Sequence, residues 1–323
     1  MKKKSFCLTL CALLYALCWS VEAQQQATNI RRIGYLLTGF KPPKEFFDAM
    51  NRLGYVDGQN IAFEYRVAEA GEERLFEQAA DLVRQKVVVL IAPGAAAALA
   101  AKKSTNSIPI VYLGGGDPVA LGLVGSLARP GGNVTGVTEL SPELTGKRLE
   151  LLKETFPKIS NVSVLARSGA PGVTHQFEEL EHQARALRLK LQFVQIRGAK
   201  EIEDSLSTIS KQRASALIEV PNPLFHAHSA RIVKFASEHK LPTIFHSKDF
   251  VEAGGLMAYG AEFVDLYRRA ATCVDKLLKG AKPAELPVEQ PTKFELVINI
   301  KAAKQIGVTI PPNVLARADR VIK

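Results

Sequence analysis

Cysteine is scarce in this chain. Four occur in 323 residues, and Cys7, Cys11 and Cys18 all lie near the N-terminus, which leaves Cys273 alone over the rest. No disulfide framework or thiolate metal cluster can form within one chain from a single thiol, and Cys273 falls inside a helical pattern, as a buried inert thiol does. Nucleotide signatures are missing too. No G-x-G-x-x-G joins a strand to a helix, and no G-x-x-x-x-G-K-[ST] occurs. Hydrolase and metalloenzyme signatures (G-x-S-x-G, H-E-x-x-H, C-x-x-C) are absent from residue 24 onward. His226 and His228 are two apart, which on a helix puts them on different faces and argues against a metal pair. His175, His182 and His239 sit among charges on helical stretches. These absences point away from an enzyme and from any cofactor or bound metal.

Long hydrophobic runs are limited to one. Lys2, Lys3 and Lys4 precede an apolar and small stretch from Phe6 to Trp19, and Val21-Glu22-Ala23 ends it with small-x-small spacing. That is the layout of a secretory signal peptide over residues 1–23, with cleavage before Gln24. Tyr15-Ala16-Leu17, just before Cys18, are bulkier than a lipidation box takes, which favours a cleaved, exported chain over a lipid anchor. The formal net charge is +10, of which the three leader lysines and Glu22 account for +2. The remaining basic residues are mixed with acidic ones and form no Lys/Arg block, so nucleic acid is not an expected partner.

What is present is a repeat. Arg31–Leu37 (RRIGYLL), 60–66 (NIAFEYR), 87–92 (VVVLIA) and 108–113 (IPIVYL) read as strands. Between them, 44–53 and 72–85 carry apolar stripes at helical spacing, with Leu75, Phe76, Ala79, Leu82 and Val83 on the second. About 130 residues later the order restarts: 161–166 (NVSVLA), 190–196 (KLQFVQI), 214–220 (ASALIEV) and 241–245 (LPTIF). Two α/β halves follow, each a parallel sheet with helices on both faces, and ligands belong at the carboxyl ends of the strands. A helix over 263–279 with Val264, Tyr267, Ala271, Val274 and Leu278 on one stripe, the strand-like FELVIN and a last helix fit a chain that crosses back between the halves.

The strand ends therefore hold the candidate site. In the first half they carry Thr38-Gly39-Phe40, Pro93-Gly94-Ala95-Ala96 and the run Gly114 to Asp117. In the second half they carry Ser168-Gly169, Asn222 and His246-Ser247. Free N–H groups at helix starts favour a carboxylate, which suits Ala95 and Ala96. Asp117 can take a ligand amine or cap a helix beginning near Pro118, and His246 can donate into the cleft. Asn222 and Asp265 are further candidates for a ligand ammonium, and Phe40 and Tyr259 for apolar packing on a side chain.

Larger blocks carry a resemblance. NRLGYVDGQNIAFEYR, GGGDPVALGLVGSLARPGGNVTGVT, GKRLELLKETFPK, FVEAGGLMAYG and the stretch from LPVEQPTKFELVINIK to ADRVI together resemble the ABC transporter substrate-binding proteins of the tryptophan-binding TrpX type. The resemblance implies a type I periplasmic binding protein fold: two Rossmann-like lobes joined by three hinge crossings, closing on a small-molecule ligand. It also implies periplasmic capture of an amino acid, aromatic or related, for a permease and ATPase complex in the inner membrane. A second reading keeps the fold and makes the chain a sensor that presents its bound form to a membrane receptor. Where relatives commonly bear Gly-Thr this chain has Ala95-Ala96, and Arg167-Ser168-Gly169 and Asn222-Pro223-Leu224-Phe225 also depart from the usual residues.

On this reading the first lobe spans 24–138 plus 261–286 and the second 139–260 plus 287–323. The crossings fall at Gly136–Ser141, Tyr259–Ala261 and Leu286–Thr292. In VEAGGLMAYG, Gly254-Gly255 would turn into the last strand and Tyr259-Gly260 would face the ligand at the hinge. A β-branched residue at 260 is expected to disturb closure more than folding.

Overall fold

The computed structural model describes residues 30–37, 42–68, 72–139 and 141–323. The proposed signal peptide, Thr38 and Phe40 lie outside the described residues. The apolar runs of the first half form strands β1 (Arg31–Leu37), β2 (Ile61–Val67), β3 (Val89–Pro93), β4 (Ile110–Gly114) and β5 (Val134–Thr138). They make a fully parallel sheet in the order β2-β1-β3-β4-β5. The second half supplies β6 (Asn161–Arg167), β7 (Lys190–Ile196), β8 (Ala216–Glu219), β9 (Thr243–Phe245), β10 (Met257–Ala261), β11 (Phe294–Asn299) and β12 (Arg320–Ile322). Read from β7, that sheet runs β7-β6-β8-β9-β10 and repeats the first order; antiparallel β11 and then β12 extend it. Two copies of one doubly wound unit thus stand in a single chain, each with its own switch point between its first and third strands.

Both faces of each sheet are buried, as parallel sheets require. Ile33, Tyr35, Val89, Ile91 and Val111 pack under the helices Lys44–Arg52 and Phe263–Leu278. On the opposite face Leu36, Leu90, Ala92 and Tyr112 meet Leu75, Ala79 and Leu82 of Glu72–Arg84 and the alanines of Ala95–Ser104. Phe76, expected on that stripe, is 45% exposed. The helix Phe263–Leu278 follows β10 of the second sheet yet packs on the first, so the chain does cross back. Its buried face is Leu266, Ala270, Ala271, Cys273, Val274 and Leu277, rotated from the expected stripe, with Val264, Tyr267 and Leu278 only half-buried. The rotation draws Asp275 inward, where Tyr55 Oη donates to Oδ1 at 3.0 Å.

Two glycines fix the close approach of neighbouring strands. A Cβ on Gly136, whose φ is +135°, would fall 2.0 Å from the Tyr112 carbonyl oxygen of β4. One on Gly260 of β10 would fall 1.9 Å from the His246 carbonyl oxygen. Gly260 is therefore needed for the backbone packing beside His246, and a β-branched residue there disrupts folding first, contrary to the sequence expectation.

Three segments connect the halves. One lies between β5 and the helix Ser141–Thr155, Glu262 leads from β10 into Phe263–Leu278, and the chain returns before β11. On that return Glu289 N–H donates to the Gly136 carbonyl at 2.8 Å and Thr138 N–H to the Glu289 carbonyl at 2.9 Å, so residue 289 still pairs with β5. Arg269 ties these segments together. Its Nε lies 2.6 Å from Asp265 Oδ2, Nη1 3.2 Å from Glu289 Oε2 and Nη2 2.8 Å from Thr292 Oγ1. The two carboxylates hold the Arg269 guanidinium above its usual pKa.

Candidate functional site

The carboxyl ends of the strands hold an unusual group for a hydrophobic interior: a fully buried arginine and glutamate. Arg148 sits on the inward stripe of Ser141–Thr155 with Leu144, Thr145, Leu149 and Leu152, and is 1% exposed. Its Nη2 donates to Thr145 Oγ1 at 2.6 Å and its Nη1 to the Tyr259 carbonyl at 3.1 Å. Glu219 ends β8 at 0% exposure, and its Oε1 accepts from the His246 backbone N–H at 3.1 Å and lies 2.6 Å from His246 Nδ1.

The charges explain how such a group survives burial. Desolvation pushes the Arg148 guanidinium down to about 10, against the attraction of Glu219 and Glu139, so it stays charged at neutral pH. Burial alone would raise the Glu219 carboxyl, yet the neighbouring His246 and Arg148 outweigh it and hold that pKa below the usual carboxylate value. With Glu219 ionised and acceptor-only, the His246 proton belongs on Nδ1, which leaves Nε2 as an acceptor while the ring is neutral.

Beside this group is a cavity lined by Glu139, Leu144, Arg148, Pro221, His246, Gly260, Ala261 and Phe263. A second opens next to it, shared at His246, Gly260, Ala261 and Phe263 and continuing to Lys248, Glu295 and Val297. Each has about 10 Å³ for the centre of a water-sized molecule, close to the room one water needs. Residues of both halves meet here. Phe263 opens the helix packed on the first sheet, and its ring centroid lies 6.1 Å from that of His246 and 6.5 Å from that of His226. His226 is in turn paired with Asp249 at 3.1 Å, which lowers the Asp249 carboxyl pKa. Leu121, from the segment after β4, reaches Gly172 at the start of Val173–Ala186: a Cβ there would be 3.4 Å from Leu121 Cδ2.

Of the described residues picked from sequence, His246 lines both cavities, and so does Gly260, expected at the hinge. Ala95 and Ala96 begin the helix Ala95–Ser104 behind Gly94, with no side-chain cap, and Ala95 lies near Gly116. Asp117 caps a turn rather than a helix, its Oδ1 accepting from Val119 N–H at 2.8 Å. Asn222 caps Pro223–Ala227 through Leu224 N–H at 3.0 Å. Ser168 stands in the turn after β6, its N–H donating to the Ile196 carbonyl. Tyr259 stacks on Phe294 and packs against the core of the second sheet; its carbonyl, not its ring, faces the buried group. Both Asp265 oxygens are held by Arg268 and Arg269. Arg148, Glu219, Glu139 and Phe263 were missed. An arginine on an apolar helical stripe and a glutamate closing the run Ala216-Leu217-Ile218 were the available signals.

Two doubly wound halves with their strand ends facing a shared cavity, joined by three crossings, define a two-lobed binding protein of the periplasmic type. Within that class the chain belongs to the ABC transporter substrate binding protein family, whose match spans residues 41–322. It is 29% identical over 268 residues to a tyrosine-binding protein of Clostridioides difficile strain R20291, covering 82% of this chain and 76% of that protein. Among solved structures, an ABC domain from Streptococcus pneumonia in complex with L-Trp superposes with TM-score 0.83 at 26% identity, covering 91% of this chain and 100% of that one. A conserved domain protein from Vibrio cholerae superposes at 0.84 with 26% identity and the same coverage. A ligand-free, open substrate-binding protein from Clostridium difficile, at 25% identity and the same coverage, superposes at 0.64.

Proposed function

We propose that this chain is the solute-capture component of an ABC importer and that it binds an aromatic amino acid in the cleft between its lobes. The observation that carries this is the cavity at the strand ends of both halves, where Glu139 and Phe263 meet Arg148 and His246. A tyrosine-binding relative and a neighbour holding L-Trp support the ligand class. Because Val288 and Glu289 pack and pair with the first sheet while Ala261 ends β10, the lobes are taken as 24–138 with 262–289 and 139–261 with 290–323, hinged near 139, 261–262 and 290–293. Export to the periplasm by residues 1–23, and delivery of ligand to an inner-membrane permease and its ATPase, complete the reading.

The described arrangement is read as the closed one. The better superposition on the L-Trp complex than on the open, ligand-free relative supports this, at nearly equal identity. So does the approach of Leu121 to Gly172. A water-sized cavity cannot admit an amino acid, so entry requires the lobes to part about the three crossings. Thermal melting of the chain from Gln24, against the twenty amino acids, aromatic acids and nucleobases, tests the reading, because a ligand bound only by the folded state raises its melting point. An aromatic amino acid should give the largest shift. A folded protein shifted by none of the amino acids would overturn the proposal.

A further inference from the structure

The third crossing is a short pivot. Val288 packs in the first half and Glu289 pairs with β5, while β11 of the second sheet begins at Phe294, so residues 290–293 alone span the gap. Pro291 restricts one of these four backbone positions. The Lys293 carbonyl accepts from Glu262 N–H at 3.2 Å, which ties the third crossing to the second. Any parting of the lobes must therefore turn the backbone around Thr292.

One side chain of the first lobe reaches into that pivot. Arg269 lies on Phe263–Leu278, and two of its nitrogens go to acids of its own lobe, Nε to Asp265 and Nη1 to Glu289. Arg268 Nη1 holds the other Asp265 oxygen at 3.2 Å, and Lys276 Nζ the other Glu289 oxygen at 3.4 Å. The guanidinium is thus fixed in place and direction. Its third contact, Nη2 to Thr292 Oγ1 at 2.8 Å, depends on how the pivot is turned. A rigid planar fork cannot follow a moving hydroxyl without giving up its bonds to the two carboxylates.

We propose that Arg269 is a positioning residue for lobe closure: its bond to the Thr292 hydroxyl latches the third crossing in the closed arrangement and shifts the balance of open and closed forms toward closed. This rests on the two-lobed capture reading above. Thr292 is exposed, so solvent screens the bond, and the effect on the closed-to-open ratio is several-fold rather than larger. A ligand held only by the closed form feels that ratio directly, so its affinity moves by about the same factor.

Thr292→Val keeps the branched shape and removes the hydroxyl, whereas Thr292→Ser keeps the hydroxyl. Spin labels at Ala120→Cys and Thr174→Cys, exposed positions flanking the Leu121–Gly172 approach, read lobe separation by pulsed electron paramagnetic resonance. Calorimetry with L-tyrosine reads affinity. Without ligand, the valine variant should have a closed-to-open ratio about three- to tenfold lower, and it should weaken L-tyrosine by about the same factor. The serine variant should stay within about twofold of wild type on both readouts. A valine variant with the wild-type distances overturns the latch, whether its affinity is unchanged or weakened, since the contact then does not act on closure. A serine variant as perturbed as valine overturns it too. If the wild type binds no amino acid, the amino acid reading fails, and the ligand-free distances alone still decide the latch.

Discussion

Replacing Arg148 by methionine keeps much of the side chain's volume and removes its charge. Two hydrogen bonds go, to the Tyr259 carbonyl and to Thr145 Oγ1, and Glu219 is left at zero exposure with the His246 backbone N–H and Nδ1 as its remaining contacts. Arg148 and Glu219 act on each other through charge rather than a direct ion pair, and removing one of two facing buried charges costs about 3–5 kcal/mol, because the surviving charge stays desolvated. At roughly 2–4 °C per kcal/mol, melting should fall by about 6–20 °C at pH 7.5. Adding Glu219→Gln removes the stranded charge and should return about 1–2 kcal/mol, a coupling that distant substitutions would not give. The deficit should also depend on pH. Glu219 has a folded pKa below its unfolded value, so its stabilisation is complete above about pH 5 and is lost as pH falls through the lower folded value. Because Arg148 is one cause of that lowering, the two melting curves should draw together as pH falls through the folded value, leaving the part of the deficit that comes from the two lost hydrogen bonds. Urea and thermal unfolding followed by far-UV circular dichroism read all three effects. A single-variant loss under about 1 kcal/mol, or a double variant no more stable than the single, would refute the buried pair as the organiser of this site.

Other outcomes follow from the backbone and from the lone thiol. Gly136→Ala and Gly260→Ala each drive a methyl into a strand carbonyl and should cost about 3 kcal/mol or more or abolish soluble expression, whereas Gly132→Ala, with open space around it, should stay within about 0.5 kcal/mol. Denaturant midpoints compare them, and a neutral Gly260→Ala would contradict the strand spacing at His246. Cys273 is 4% exposed and its thiol is pushed up to about 12 by burial. A disulfide reagent at pH 8 should leave it untouched in the native protein and label it fully in denaturant; rapid native labelling would place it elsewhere.

The framework was legible because its signals are local. Buried parallel strands read as apolar runs, and four of them recur in the same order about 130 residues later, which is enough to give two doubly wound halves. β5 was harder: Val134-Thr135-Gly136-Val137-Thr138 is short and holds a glycine, and its strand character comes from pairing with β4 and with Glu289. The site was less legible for a related reason. Asp117, Asn222 and Asp265 look like ligand groups until the structure shows each one satisfied by its own neighbours. Arg148 and Glu219 carried a weak signal, an apolar stripe and an apolar run, but the groups they meet, the Tyr259 carbonyl and His246, come from elements distant in sequence. Charge in a sequence carries no record of what it will face, and only the assembled strand ends supply that.

The chain's single tryptophan is Trp19, so protein beginning at Gln24 contains none. Ligand tryptophan fluorescence can therefore be followed with no indole background from the protein. Titrating L-tryptophan into that protein, with L-tyrosine as competitor, tests aromatic amino acid capture directly. The expected result is a saturable change in the indole emission with one site per chain, reversed by L-tyrosine. A linear response with no saturation and no effect of the competitor would contradict it.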